Sequence, residues 1–327
     1  MRLRSIPFSL VAIALSCLVA YAAYGLLWDR ALPLHKTEIV VAPGSDFDAI
    51  VASLTADGVT RHPWLLRALA RIRGASAKVQ AGRYRFRAHS STVDLLDRLL
   101  AGGRNSIWVT IPEGFTDRDI ARRLARHGLG DERALEYAFR HDSATVDGER
   151  ITGLEGFLFP DTYLVPIGAM PAQIESQMLA RFRQELPAHA RRRARALHVS
   201  LVGAITIASM IEREAKIDRD RPLIASVIYN RLRLGMPLQI DATVEYALPH
   251  HRSTLSYADL RVPSPYNTYL HAGLPPGPIA NPGRASIEAA FHPAKTDFLY
   301  YVAKGNGSHV FARTLAEQMA NIARYER

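Results

Sequence analysis

The sequence predicts an α+β protein with an N-terminal segment that crosses a membrane, a small α/β module, and a larger α+β domain. Three observations carry this reading. Segments with helical apolar spacing are interleaved with short stretches of strand-like alternation. A strand–turn–helix unit occurs twice in the first 130 or so positions. The chain also opens on a long run without charge. With 327 residues, 48% of them hydrophobic and 22% charged, the chain can fill two or three separate cores.

Ile6 to Leu27 is 22 positions without a charged side chain, long enough to span a bilayer. Arg2 and Arg4 precede it, which sets the N-terminus inside, and Tyr21, Tyr24 and Trp28 suit the far interface. Ala20-Tyr21-Ala22 also fits a signal-peptidase site, but the apolar run continues past it, as an uncleaved anchor does. Cys17, the only cysteine, follows Ala14-Leu15-Ser16, a poor lipoprotein box, and can form no intramolecular disulfide. Residues 1–36 are thus read as a cytoplasmic tip, anchor and linker, with the bulk of the chain outside the cytoplasm. The net charge of +10 suits an anionic partner, and this compartment leaves phospholipid or cell-wall polymer rather than nucleic acid.

The repeat follows. Val40 to Val59 echoes Val109 to Leu129: counted from Gly44 and Gly114, both have Ile at +6, Leu at +10 and Gly at +14. Each copy reads as strand, Pro/Gly turn, short amphipathic helix and Gly stop. Between them Pro63–Arg73 reads as a helix, Gly82–Phe86 as a strand, and Thr92–Leu100 as a helix ended by Gly102-Gly103. Residues 37–103 form the small module. Residues 104–327 form the larger domain, with the second copy in 104–150 and a core in 151–327. In that core, Pro171–Leu186 reads as an amphipathic helix and Arg191–Arg195 as a solvated basic face.

The most informative stretch is Ile205 to Tyr246. Leu201 to Lys216 has helical spacing, and Leu201, Ile205 and Ala208 share a stripe that Glu212 continues. A carboxyl set among apolar side chains holds its proton more tightly and can serve as a general acid; an ordinary pair with Lys216 at i+4 fits the same spacing. Glu214 points elsewhere. A second helix starts near Asp218 or Asp220 with Pro222 in its first turn, and Gly235 closes it. In L-Q-I-D-A-T, alternation puts Gln239, Asp241 and Thr243 on one side of an extended segment; Asp241 fits equally as the N-cap of a short helix from Thr243. Glu155 has no helical apolar stripe to desolvate it and reads as substrate-shaping or structural. Ser264 to Gly283 is a long loop rich in Pro, Gly and Tyr. There Tyr266 and Tyr269 are suited to stack on sugar rings, and Asn267 and Thr268 to hydrogen-bond them; the alternative is a rigid loop that covers the core. Ser286–Phe291 reads as a helix, Phe298–Ala303 and Ser308–Arg313 as a hairpin, and Thr314–Tyr325 as a closing helix.

Several of these stretches, I-A-S-M-I-E-R-E-A, S-V-I-Y-N-R-L-R-L-G-M-P-L-Q-I-D-A-T-V, P-S-P-Y-N-T-Y-L-H-A-G-L-P-P-G-P-I-A-N-P-G, L-E-G-F-L-F-P-D-T-Y and H-P-A-K-T-D-F-L-Y-Y-V-A, resemble the endolytic murein transglycosylase family, also called MltG or YceG-like. The resemblance runs over nearly the whole chain. It implies a LysM-like peptidoglycan-binding module at the repeat, followed by a lytic transglycosylase domain. It also implies an inner-membrane protein whose catalytic domain faces the periplasm. The family's catalytic residue is the first Glu of E-x-E, which is Glu212 here, with the basic variant Arg213 between the acids. The implied substrate is the MurNAc–GlcNAc strand of peptidoglycan, with peptidoglycan synthases as protein partners. Gln239, Asp241, Thr243, Tyr266, Asn267, Thr268, Tyr269 and Glu155 are then the candidates for holding sugar. A hydrolase using Glu212 and Asp241 on water, and a non-catalytic wall-binding adaptor, fit the same residues. No cofactor or metal is expected: H-E-x-x-H, G-x-S-x-G, a P-loop and a Gly-rich dinucleotide turn are all missing from the sequence.

Overall fold

The computed structural model describes residues 38–325 except 43, 87–89, 104–105, 251 and 253–254, together with Ala20, Tyr21, Ala23 and Tyr24. The expected membrane span Ile6–Leu27 lies almost wholly outside these residues. Among them no single helix is long and apolar enough to cross a bilayer. The chain divides into two compact units, one made of residues up to Trp108 with Leu164–Ala169, the other of Val109–Tyr163 and Met170–Arg327.

In the first unit β1 (Glu38–Val41) pairs antiparallel with β2 (Gly82–Arg85), Glu38 opposite Arg85 and Val41 opposite Gly82. Three helices accompany this hairpin: α1 (Phe47–Ala56), α2 (Pro63–Ile72) and α3 (Thr92–Leu100). Their starts are set locally. Asp46 caps α1, Pro63 stands at the head of α2, and Ser91 and Asp94 form a reciprocal capping box on α3. Val51, Leu54, Leu66, Tyr84, Leu96 and Leu99 close a single core.

The chain enters the second unit along β3 (Ser106–Thr110), which pairs with β6 (Thr162–Pro166). Between these strands lie α4 (Asp117–Arg126), α5 (Glu132–His141) and a hairpin of β4 (Ser143–Val146) and β5 (Glu149–Thr152). The sequence reading missed this hairpin, although Asp147-Gly148 is its signature: both residues have positive φ, 45° and 74°, as a type I′ turn requires. Then come α6 (Pro171–Glu185), α7 (Ala190–Ala196), α8 (Leu201–Glu214), α9 (Arg221–Arg233), α10 (Asp241–Ala247) and α11 (Arg284–Phe291). The hairpin of β7 (Tyr300–Ala303) and β8 (His309–Ala312), with α12 (Leu315–Tyr325), ends the unit.

The sequence repeat is a repeat of local structure. Ile50 and Leu54 in α1, like Ile120 and Leu124 in α4, are buried. Gly58 and Gly128 end the two helices at φ 73° and 72°. In both copies the next N–H reaches back to the buried leucine: Val59 to the Leu54 carbonyl at 2.8 Å, Leu129 to the Leu124 carbonyl at 3.0 Å. The two copies nevertheless belong to different units. A side chain at either glycine is forced into the left-handed region, so Gly58→Ala and Gly128→Ala should each cost roughly 1–2 kcal/mol. Chemical denaturation of the two variants checks this; a loss near zero at both would show that the helix stops are not conformationally set.

α8 is the axis of the second unit. Every residue from Gly203 to Ile211 is buried, and the helix packs against α11, α9, α7 and α10. A helix apolar on all sides needs neighbours on all sides, so the single stripe inferred from spacing understates its burial. Small residues allow the close approach. At Gly203 an added methyl group would lie 3.2 Å from Leu274, and Ser209 Oγ accepts the Ile279 N–H at 3.0 Å. At the polar C-terminal end of α8 the turn at Gly114 and the loop at Gly283 meet.

Candidate active site

Glu212 stands in the last turn of α8 with its side chain 8% exposed. Its Oε2 accepts the Gly283 N–H at 3.0 Å and lies 3.6 Å from Arg221 Nη1. Among the described residues Oε1 accepts no hydrogen bond. The setting is therefore not the apolar one expected from spacing, and the ionic partner is Arg221 rather than Lys216. Arg221, the first residue of α9, is buried, and it also donates to Ser286 Oγ and, at 3.2 Å, to Asp218 Oδ1. The Asp218–Asp220 turn does not cap α9 through a side chain; Asp220 instead accepts the His309 N–H at 2.7 Å.

Two glycines shape the approach to Glu212. An added methyl group at Gly114, whose φ is 76°, would sit 3.8 Å from Glu212 Cγ, and one at Gly283 would coincide with the carboxyl of Glu113. Glu113 thus lies over Gly283 as a second acid at the site. Burial of its carboxyl pushes its pKa up, the Glu212 charge adds to this, and Arg221 opposes it. Sequence reasoning missed Glu113. The signal was present: the turn of the second repeat copy carries an acid where the first has Pro43.

Asn281 ties the loops together and is fully buried. Its Oδ1 accepts the Leu158 N–H at 2.8 Å, and its Nδ2 lies 3.1 Å from the Phe115 carbonyl, 3.2 Å from Asp117 Oδ1 and 3.1 Å from Glu155 Oε1. Its backbone makes two further bonds, N–H to the Phe115 carbonyl at 2.8 Å and carbonyl from the Gly114 N–H at 2.9 Å. The stretch around residue 281 and the second repeat turn therefore meet at the end of α8, and the stretch around residue 155 is bonded to both through Asn281 and Asp117.

Glu155 is more desolvated than the sequence suggested. Loop packing rather than a helical stripe half-buries it, and both its oxygens accept the Asp117 N–H, each at 3.2 Å, while Tyr246 Oη donates to Oε2 at 3.3 Å. Burial, with the nearby Asp117 charge, holds the Glu155 carboxyl well above the usual carboxylate range. Glu155 and Asp117 border a cleft of about 1010 Å³, which is also lined by Arg213, Tyr246 and Tyr266. Tyr246 and Tyr266 meet with ring centroids 4.9 Å apart. Glu212 is not among the residues lining this cleft, but its neighbour Arg213 is, bonded to Glu245 at 3.1 Å.

The other expected sugar contacts divide. Thr243, Asn267 and Thr268 are at most 1% exposed and spend their polar groups internally. Asn267 Nδ2 donates to the Leu260 and Val262 carbonyls, each at 3.0 Å; Thr243 and Thr268 hydroxyls meet at 2.9 Å; and Thr268 Oγ1 accepts the Ile240 N–H at 3.0 Å. They lock the loop onto α10 and do not face solvent. The alternation stops because Gln239 takes a positive φ of 52° and α10 begins at Asp241, so Thr243 turns inward. Gln239 and Asp241 are exposed and Tyr269 is half-buried; Tyr269 Oη donates to Asp241 Oδ1 at 2.5 Å.

Glu214 is also a distinct acid. Its carboxyl is pushed up to about 7 by burial first and by the Asp241 charge second, against the hydrogen bond from Tyr301 Oη at 3.2 Å. The acid that Asp241 acts upon is thus Glu214.

A model of the YceG-like family matches residues 39–324. The chain belongs to the YceG-like family. A Bacillus subtilis relative named endolytic murein transglycosylase is 36% identical over 297 residues, covering 85% of this chain and 82% of that protein. A Streptococcus pneumoniae protein of the same name is 30% identical and covers 97% of this chain but 64% of its own length. The fold is shared with the crystal structure of a YceG-like protein from Listeria monocytogenes, at TM-score 0.61 and 31% identity, covering 88% of this chain and 98% of that one.

Proposed function

We propose that this chain is an endolytic lytic transglycosylase of peptidoglycan, with Glu212 as its acid and base. The carrying observation is the seating of Glu212 at the end of α8, where the Gly283 N–H and Arg221 hold Oε2 and Oε1 is left for a substrate. The names of the relatives point to the same reaction. Glu212 gives its proton to the glycosidic oxygen as the bond to the MurNAc anomeric carbon breaks. The resulting carboxylate takes the proton of the MurNAc 6-hydroxyl, whose oxygen closes on its own anomeric carbon and leaves a 1,6-anhydro end. The nucleophile is already tethered, so no second acid is needed to activate it. The cleft beside Arg213, with the Tyr246–Tyr266 pair as an apolar wall, suits a glycan strand. Exposed Gln239 and Asp241 with Tyr269 offer a second polar edge.

Digestion of isolated glycan strands with the detergent-solubilised full chain, read by mass spectrometry, tests this. The expected products carry 1,6-anhydroMurNAc, including fragments cut from the strand interior. Free reducing MurNAc ends would hand the case to a water-using hydrolase, and no cleavage at all to a wall-binding adaptor.

The charge-free run after Arg2 and Arg4 supports a single inner-membrane anchor with the rest of the chain in the periplasm. A native N-terminus near Met1 and a need for detergent are expected; a mature N-terminus at Ala23 would overturn the anchor. The repeat, read as LysM-like, serves glycan capture, and removal of residues 37–103 should weaken retention on insoluble wall.

A further inference from the structure

We infer that the buried Asp117 and the half-buried Glu155, through Asn281, position the Gly283 N–H on Glu212, and that this arrangement requires one of the two acids to stay protonated. The inference rests on the reading of Glu212 given above.

The donors around the pair are the Asp117 N–H, the two hydrogens of Asn281 Nδ2 and Tyr246 Oη. None is a cation. Charged and titratable groups face the pair from further away: Glu136 and Arg140 on α5, Glu175 on α6, Asp119 on α4 and the phenol of Tyr266, and Arg118, Arg122, Arg213 and Glu245 line the same cleft. Arg118, Arg122 and Arg213 are paired with Glu136, Glu132 and Glu245, and of the outer charges that act on the two carboxyls Arg140 is positive while Glu136, Glu175 and Asp119 are acids. Two full negative charges on carboxyls that share one amide nitrogen, one buried and one half-buried, are disfavoured. Burial accordingly raises both carboxyls, Asp117 to about 7 and Glu155 well above its ordinary range.

The route to Glu212 is short. Asn281 Nδ2 has two hydrogens and three acceptors around it: the Phe115 carbonyl, Asp117 Oδ1 and Glu155 Oε1. Every other polar group of Asn281 is engaged as well. Past Pro282 the next residue is Gly283, whose N–H reaches Glu212 Oε2. When both acids are charged they repel each other, and the clamp that fixes the 281–283 backbone loosens. The Gly283 N–H then no longer holds Glu212, and the loss falls on the chemical step rather than on glycan binding. Asp117 and Glu155 are in this sense positioning residues.

The test is kcat and KM on glycan strands for the full chain, from about pH 5 to about pH 9. Wild type should lose kcat on the alkaline side. Asp117→Asn and Glu155→Gln keep the shape but hold no proton to lose, so their alkaline limbs should move up by roughly one pH unit or more. Asn281→Ala should lower kcat by about 10²-fold with KM within about twofold, the scale of a small misplacement. The inference is overturned if both isosteric variants keep the wild-type alkaline limb, or if Asn281→Ala folds and keeps its kcat. Should Asn281→Ala fail to fold, the two isosteric variants still decide. Glu212→Gln run alongside separates the two readings: full activity there overturns the assignment of Glu212, whatever the acid pair does.

Discussion

Glu212→Gln should lower glycan cleavage by about 10²–10⁴-fold, the usual worth of general acid–base catalysis, while the protein stays folded. Glutamine keeps the size of the side chain and can still accept the Gly283 N–H, but it has no proton to give and cannot take one. The neutral amide is also easier to bury than a carboxylate. Glu214→Gln is the sharper control. Glu214 is only two residues away and has a carboxyl raised to about 7, the value usually sought in a general acid. By that criterion alone it would be preferred. Its carboxyl, however, is committed to Tyr301 Oη and lies against Asp241, whereas Glu212 has an oxygen left over and lies where the loops converge. Glu214→Gln should therefore cost much less than Glu212→Gln. A dead Glu214→Gln beside an active Glu212→Gln would move the acid to Glu214 and bring Asp241 into the mechanism.

Arg221→Met should destabilise the second unit by about 3–5 kcal/mol, the cost of stranding one member of a buried ion pair. Arg221 and Glu212 side chains are 10% and 8% exposed, and the guanidinium also holds Ser286 and Asp218. Part of the loss belongs to Glu212 itself, because its charge loses its counter-ion. Chemical denaturation of Arg221→Met in the wild-type and Glu212→Gln backgrounds measures that part as a coupling energy. The loss should be clearly smaller in the Glu212→Gln background. Equal losses in both would show that Arg221 supports only the α9–α11 packing through Ser286.

Much of this protein is determined locally. The helix starting at Thr92 begins where Ser91 and Asp94 cap it, the repeat glycines stop α1 and α4 in the same way, and apolar spacing places α8 correctly. These features depend on residues three or four apart, so the chain alone carries them. The motif around Glu212 belongs to the same class of information, since it is a contiguous run. Tertiary structure decided what surrounds that run. Glu113, Arg221 and Gly283 reach Glu212 from three separate loops and helices, and no spacing rule relates them. No helical stripe accompanies Glu155, so spacing carries no sign of its desolvation, yet the loops at residues 115–117 and 281 half-bury it. Asn267 and Thr268 are polar and sit in a loop, which by sequence suits sugar, but internal packing uses up their hydrogen bonds. Burial of a polar group is a property of everything that packs over it, and local sequence holds only one side of that contact.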